Sequence, residues 1–263
     1  MVCSPRNPWV GEISVPKTGK LAPRHNDRTL PFHKYVTGVL PSPAERVFRE
    51  YKTPDAAKQM YGNDQYGDCV WAMSANALIL TTCHTGSVVI PTLQDVLGAY
   101  SAVTGFNPGP PVVNDNGTAI TDALDYLRTT GIAGHKILGW AQIDHTNLLH
   151  RELATDLFGC TLVGVQLPNS AQEQFANGQP WEVTSDLSID GGHAILHPGY
   201  GYAGDDYVTW AKWDQKASAE WSKTFVDEEY IIITQDWINQ ATQKTPGGLD
   251  LAALQADIAL LSA

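Results

Sequence analysis

Val70-Trp71-Ala72-Met73-Ser74-Ala75-Asn76-Ala77-Leu78-Ile79-Leu80 carries no charge and is apolar on nearly every face. That pattern predicts a helix buried at the centre of a protein, with Trp71 and Met73 as core. Later helical segments are more polar. Pro91-Thr92-Leu93-Gln94-Asp95-Val96-Leu97 opens a second helix with Thr92 as N-cap. Ile120, Ala123, Leu124 and Leu127 fall at helical spacing in Ala119 to Thr130, before Gly131. Asn147 to Phe158, ended by Gly159, is a fourth. Past residue 160 the apolar runs shorten into strands: Leu162–Leu167, His193–His197, Tyr207–Ala211 and Tyr230–Thr234. The glycine- and aspartate-rich stretch Gly199 to Asp206 reads as the turn between the second and third. Helices first and strands later predict an α+β protein with a helical lobe and a β lobe.

The ends of the chain read differently. Residues 1–55 are proline-rich, basic and weakly periodic, an extended arm wrapping a body, with one short helix expected from Ala44 to Tyr51. The main domain is expected over 56–240, helical to about 160 and β from 161. Pro246-Gly247-Gly248 then separates a last amphipathic helix, Leu251 to Leu261, as a C-terminal segment over 241–263 free to dock on a protein partner.

Charge narrows the partners. A net charge of −11 argues against nucleic acid or an anionic membrane, both of which reward lysine and arginine. No apolar run approaches the roughly 18 residues of a membrane span, and the N-terminus lacks the apolar core of a signal peptide. Cys3, Cys69, Cys83 and Cys160 are unevenly spaced without a CxxC, as expected of reduced thiols in a cytoplasmic or otherwise intracellular protein. His84, His145, His150 and His197 lack metal-ligand spacing, so no metal or other cofactor is expected. Asp205-Asp206 lacks the ordered ligands of a calcium loop and reads as a hairpin tip. Trp210, Trp213 and Trp221 read as packing around a histidine.

A lone cysteine is more often a small buried apolar residue than a nucleophile. Cys69 differs because Asn63-Asp64-Gln65-Tyr66-Gly67-Asp68 delivers it to a helix start, where unpaired N–H groups and the helix dipole favour a thiolate. His193, in Gly191-Gly192-His193-Ala194-Ile195, is the candidate to manage its proton. Gln65 is placed to donate to an oxyanion beside the Cys69 N–H.

These motifs together resemble the papain-like cysteine peptidases. Gln65-Tyr66-Gly67-Asp68-Cys69-Val70-Trp71 is similar to that family's glutamine, glycine, cysteine and tryptophan, with a loop two residues shorter. Asp122 to Leu127 followed by Gly131-Ile132 is similar to its helix ending in Gly-Ile, and Gly192-His193-Ala194-Ile195 with Gly199-Tyr200-Gly201 to its histidine motif. The order Cys to His and the separation of 124 residues also fit. The resemblance implies a two-lobe fold: an N-terminal helical lobe on a central buried helix and a C-terminal antiparallel β lobe. It implies amide or peptide hydrolysis with Cys69 as nucleophile, His193 as proton shuttle and Gln65 at the oxyanion.

The family's orienting asparagine has no clean match. Alignment on Tyr207 puts Lys212 there, and alignment on Trp210 puts Val208 there. Asp214, just beyond the strand, is one candidate to hold His193. A backbone carbonyl is another, leaving a Cys/His dyad. Two rival readings accompany the hydrolase: an inactive papain-like scaffold used for binding or assembly, and a transglutaminase-like acyl transferase.

Overall fold

The computed structural model describes residues 16–36, 47–48, 57–83, 88–243 and 249–261. In chain order the elements are β1 (Leu30–Pro31), a 3-10 turn (Phe32–Tyr35), β2 (Val47–Phe48), α1 (Cys69–Cys83), α2 (Leu93–Thr104), α3 (Ile120–Thr129), β3 (Gly139–Gln142), α4 (Leu148–Phe158), β4 (Thr161–Pro168), α5 (Asn169–Ala176), β5 (Ile189–Gly201), β6 (Gly204–Thr209), β7 (Lys212–Ser218), α6 (Ala219–Phe225), β8 (Val226–Ile233), α7 (Gln235–Gln243) and α8 (Leu251–Leu261).

The uncharged run becomes α1, buried along nearly its whole length. It packs with α2 and α3 on one side and with Leu162, Ala194 and Leu196 of the sheet on the other. Trp71 and Ile79 are fully enclosed, each contributing about 1.5–3 kcal/mol by leaving water. Thr92 caps α2 in a reciprocal box with Asp95. The sheet runs β1-β3-β8-β4-β5-β6-β7, antiparallel except β1 against β3, with β2 added antiparallel to β5. A second core of tryptophans, Trp181, Trp210 and Trp221, packs with Val163 and Ile195. The chain is therefore α+β, with α1 between a helical lobe and a mostly antiparallel β lobe.

Two local expectations are corrected. Val47–Phe48 is a strand paired with Tyr200 and Gly199, not part of a helix, because a partner far along the chain claims its backbone. The rest of Ala44 to Tyr51 lies outside the described residues. The stretch Gly199 to Asp206 is mostly strand, with Gly199 paired to Asp206 and Gly201 to Gly204, so only Tyr202 and Ala203 turn. Cross-strand hydrogen bonds here override the low strand propensity of glycine and aspartate.

α8 turns Leu251, Leu254 and Ile258 inward against Phe32 and Ile233. Asp257 on it accepts from Lys34 Nζ and Tyr35 Oη, each at 2.6 Å. No described helix is long and apolar enough to cross a membrane.

Candidate active site

The turn before α1 is built by hydrogen bonds from the Gln65 and Tyr66 amides to the Gly62 carbonyl, both 2.8 Å. Gly62, at φ +99°, has the left-handed backbone that lets the chain double back there. The Asp68 carbonyl starts the helix by accepting from Trp71 and Ala72. Cys69 is thus the first residue of α1, only 1% exposed. Burial pushes its thiol up to about 12; Asp68 adds to the rise, while the Ala194 N–H on sulfur and the Lys20 ammonium oppose it.

Ala194 follows His193 on β5, so the sulfur is tied to the strand that carries the histidine. His193 is also 1% exposed. Burial pushes its ring down to about 3, keeping it neutral at ordinary pH. Its Nε2 lies 2.8 Å from Thr209 Oγ1, while Nδ1 has no hydrogen-bond partner among the described residues. Trp210 stacks on the ring at 4.5 Å between centroids and 26° between planes. Trp210 and Ala211 form the two-residue β6–β7 loop with φ +45° and +62°, the positive values a type I′ hairpin turn requires. Cys69, His193, Thr209 and Trp210 line one cavity of about 10 Å³, room for no more than a water.

No family model matches the sequence, and no curated protein matches it. Solved structures do. Xylellain, a cysteine protease from Xylella fastidiosa, superposes with a TM-score of 0.61 at 14% identity, covering 84% of this chain and 97% of that one. The proform of the ragweed pollen cysteine protease Amb a 11 gives 0.57 at 15%, covering 79% and 70%. The Carica candamarcensis protease CMS1MS2, solved with E-64, gives 0.52 at 13%, covering 73% and 99%. The fold is that of the papain-like cysteine proteases.

Within this papain-like fold the residues picked from the sequence separate. Cys69 and His193 share the cavity. Gln65 is exposed, its Nε2 3.5 Å from Asp64 Oδ2, and does not line it. Asn63, two residues earlier, is buried and does; its Nδ2 donates to the carbonyls of Lys17 at 3.0 Å and Tyr66 at 3.1 Å. Asp214 is exposed on β7, and Thr209 holds the far side of His193 instead. The register between β6 and β7 shifts between Tyr207 and Thr209. That irregularity re-aims a side chain and defeats counting from either Tyr207 or Trp210.

Asp68 is fully buried, and among the described residues neither carboxyl oxygen has a hydrogen-bond partner of ordinary geometry. Burial, reinforced by Asp115 and Asp64, holds it well above the usual carboxylate range despite its own amide and nearby Asn63. It immediately precedes Cys69 in the chain.

Four residues after His193 on β5, His197 belongs to a buried charged network. Its Nδ1 is 3.3 Å from Glu229 Oε1 and its Nε2 3.3 Å from Asp205 Oδ1. Arg151 of α4 donates to Glu229 at 2.6 Å and lies 3.1 Å from Asp205. Burial alone would lower the His197 ring, yet the two carboxylates outweigh it and bring it to about 9. No signal in the sequence marked this network. Among the described residues, no group of three or more His, Cys, Asp or Glu is placed to hold a metal ion.

Proposed function

We propose that the chain is a thiol-dependent hydrolase of amide or peptide bonds. One observation carries this reading: the helix-start thiol and the histidine line one cavity, with Thr209 on one ring nitrogen and the other left without a partner among the described residues. With Nε2–H donating to Thr209, Nδ1 is the base. It takes the Cys69 proton as sulfur attacks the carbonyl carbon, then returns it to the amine as the C–N bond breaks. Water hydrolyses the resulting thioester, with the same nitrogen accepting its proton. The Cys69 N–H meets the developing oxyanion, and Asn63, rather than exposed Gln65, becomes the second donor once its amide hydrogen leaves the Lys17 carbonyl. Trp210 keeps water off the ring. Asp214 has no part in this scheme.

The test is alkylation by iodoacetamide near neutral pH, followed residue by residue by mass spectrometry. Cys69 is expected to react faster than Cys83 and Cys160, and Cys69→Ala to abolish hydrolysis of a casein or peptide-library substrate. Equal reactivity of the three thiols together with activity surviving in Cys69→Ala overturns the assignment.

A second reading, a non-catalytic papain-like scaffold, is favoured by the closure of the cavity and the thiol raised to about 12. An electrophilic probe separates the two: a scaffold gives no selective adduct at Cys69. Added amine separates hydrolysis from acyl transfer by the appearance of an amide product.

A further inference from the structure

The N-terminal arm runs between the two segments that carry Cys69 and His193. The Lys17 amide donates to the Asn63 carbonyl at 2.8 Å, and the Asn63 side chain donates back to the Lys17 carbonyl. The amides of Gly19 and Lys20 both donate to the Gly192 carbonyl, at 3.0 and 2.9 Å, next to His193. On the other flank the Thr118 amide donates to the Gly19 carbonyl, and the Leu21 amide to the Thr118 carbonyl.

Five glycines from four segments of the fold clear this path. A Cβ on Gly117 would lie 1.8 Å from the Gly19 oxygen, on Gly192 2.1 Å from the Lys20 oxygen, on Gly191 2.6 Å from Thr18 Oγ1, and on Gly164 2.8 Å from Lys20 Cδ; Gly67 is the fifth, at 3.1 Å from the Thr18 oxygen. At Gly19 itself a Cβ would meet the Gly67 oxygen at 2.0 Å, so only glycine passes. This is a groove shaped for an extended backbone with a glycine at its narrowest point.

Lys20 leaves the groove sideways. Its Nζ lies 3.0 Å from Asp227 Oδ2, 3.0 Å from Glu228 Oε1 and 3.1 Å from the Leu21 carbonyl. Adjacent strand residues ordinarily point to opposite faces. Here Gly164 pairs with Glu228 and Val165 with Val226, so Asp227 is an extra, bulged residue and both carboxylates reach one ammonium. Gln166 donates to the same Asp227 Oδ2 at 2.5 Å, and Tyr230 holds the other oxygen of Glu228, Oε2, at 2.8 Å.

We infer that this groove is the peptide-binding site of the hydrolase and that Asp227 and Glu228 form its pocket for a lysine side chain, filled at rest by the chain's own residues 17–21. The inference rests on the hydrolase reading for its location and names the substrate class: an extended peptide with glycine followed by lysine. The arm competes with such a peptide at an effective concentration in the millimolar range, so substrate enters as the arm lets go.

The experiment uses full-length protein carrying Cys69→Ala, so the result does not depend on the nucleophile. Binding of fluorescein-labelled Lys-Thr-Gly-Lys-Leu is compared with an analogue bearing norleucine for the second lysine. With Lys20→Ala added, the arm loses its hold and the lysine peptide is expected to bind at least tenfold more tightly than to protein retaining Lys20. It should also bind at least tenfold more tightly than the norleucine analogue, and Glu228→Gln should erase that preference. If Lys20→Ala does not fold, Lys20→Met keeps the stem's volume, leaves both carboxylates without an ammonium, and carries the same expectation. Equal binding of the two peptides, or no binding by either Lys20 variant, overturns the pocket. Unselective alkylation of Cys69 alongside selective peptide binding would instead count against the hydrolase reading alone.

Discussion

His193 and His197 stand four residues apart on one strand, each about 1% exposed or less, and meet opposite fates. His193 touches a hydroxyl and an indole face, so burial decides and the ring is neutral. His197 sits between Asp205 and Glu229, so the partners decide and the ring is charged. Burial by itself therefore does not set a histidine's charge; the groups aimed at its two nitrogens do. The neutral His193 ring keeps one nitrogen without a hydrogen-bond partner among the described residues. A charged ring with both nitrogens engaged is a fastener, here joining α4, β5, β6 and β8.

The contrast is broken most severely at Glu229. Glu229→Ala leaves Arg151 and His197 buried with half their countercharge, and is expected to cost about 3–5 kcal/mol in urea denaturation. A loss below about 1 kcal/mol would mean that the network does not fasten these elements.

The pH dependence of stability comes next. The folded His197 value of about 9 lies above its ordinary 6.5, so its contribution is complete below about pH 6.5 and is lost as the pH rises through about 9. The folded His193 value of about 3 lies below 6.5, so stability falls as the pH drops under about 6.5, where the unfolded chain takes the proton first. Urea midpoints of wild type against His197→Gln should converge above pH 9, and those against His193→Gln should change between pH 6.5 and 3. Profiles parallel to wild type throughout would erase the distinction.

Thr209→Val removes the only hydrogen bond to the His193 ring among the described residues. It is expected to cost about 1 kcal/mol and to slow Cys69 alkylation about tenfold with a displaced pH profile, while Thr209→Ser restores both. An unchanged profile would make Thr209 packing rather than positioning. The smallest effect is expected at the turn beneath Trp210. Ala211→Gly relieves a left-handed alanine at the expense of a looser unfolded chain, a net gain of about 0.5 kcal/mol by calorimetry.

Much of the framework was legible because local pattern and tertiary packing agree. An uncharged helical run has nowhere to go but the core, and Thr92, Gly131 and Gly159 punctuate helices by backbone rules that need no distant partner. Cys69 was legible as a cysteine at a helix start, and His193 as a histidine at a strand in the matching order. Thr209 was not legible as the partner of the His193 ring, because a register irregularity lies between Tyr207 and Thr209 and a threonine advertises nothing. The orientations of Gln65, exposed, and Asn63, buried, were not legible either, since the turn that carries both is closed on Gly62 and on Lys17 of the arm. Lys20 read as one more basic residue of an arm, since the carboxylates that receive it lie some two hundred residues later.

By itself the sequence determined the order of helices and strands and the buried central helix, because periodicity, caps and turn residues act over a few neighbours. Only the tertiary structure decided which histidine is neutral and which charged, what stands behind His193, and where the arm lies. Each of these depends on groups brought together from distant segments, and on the desolvation that their meeting creates.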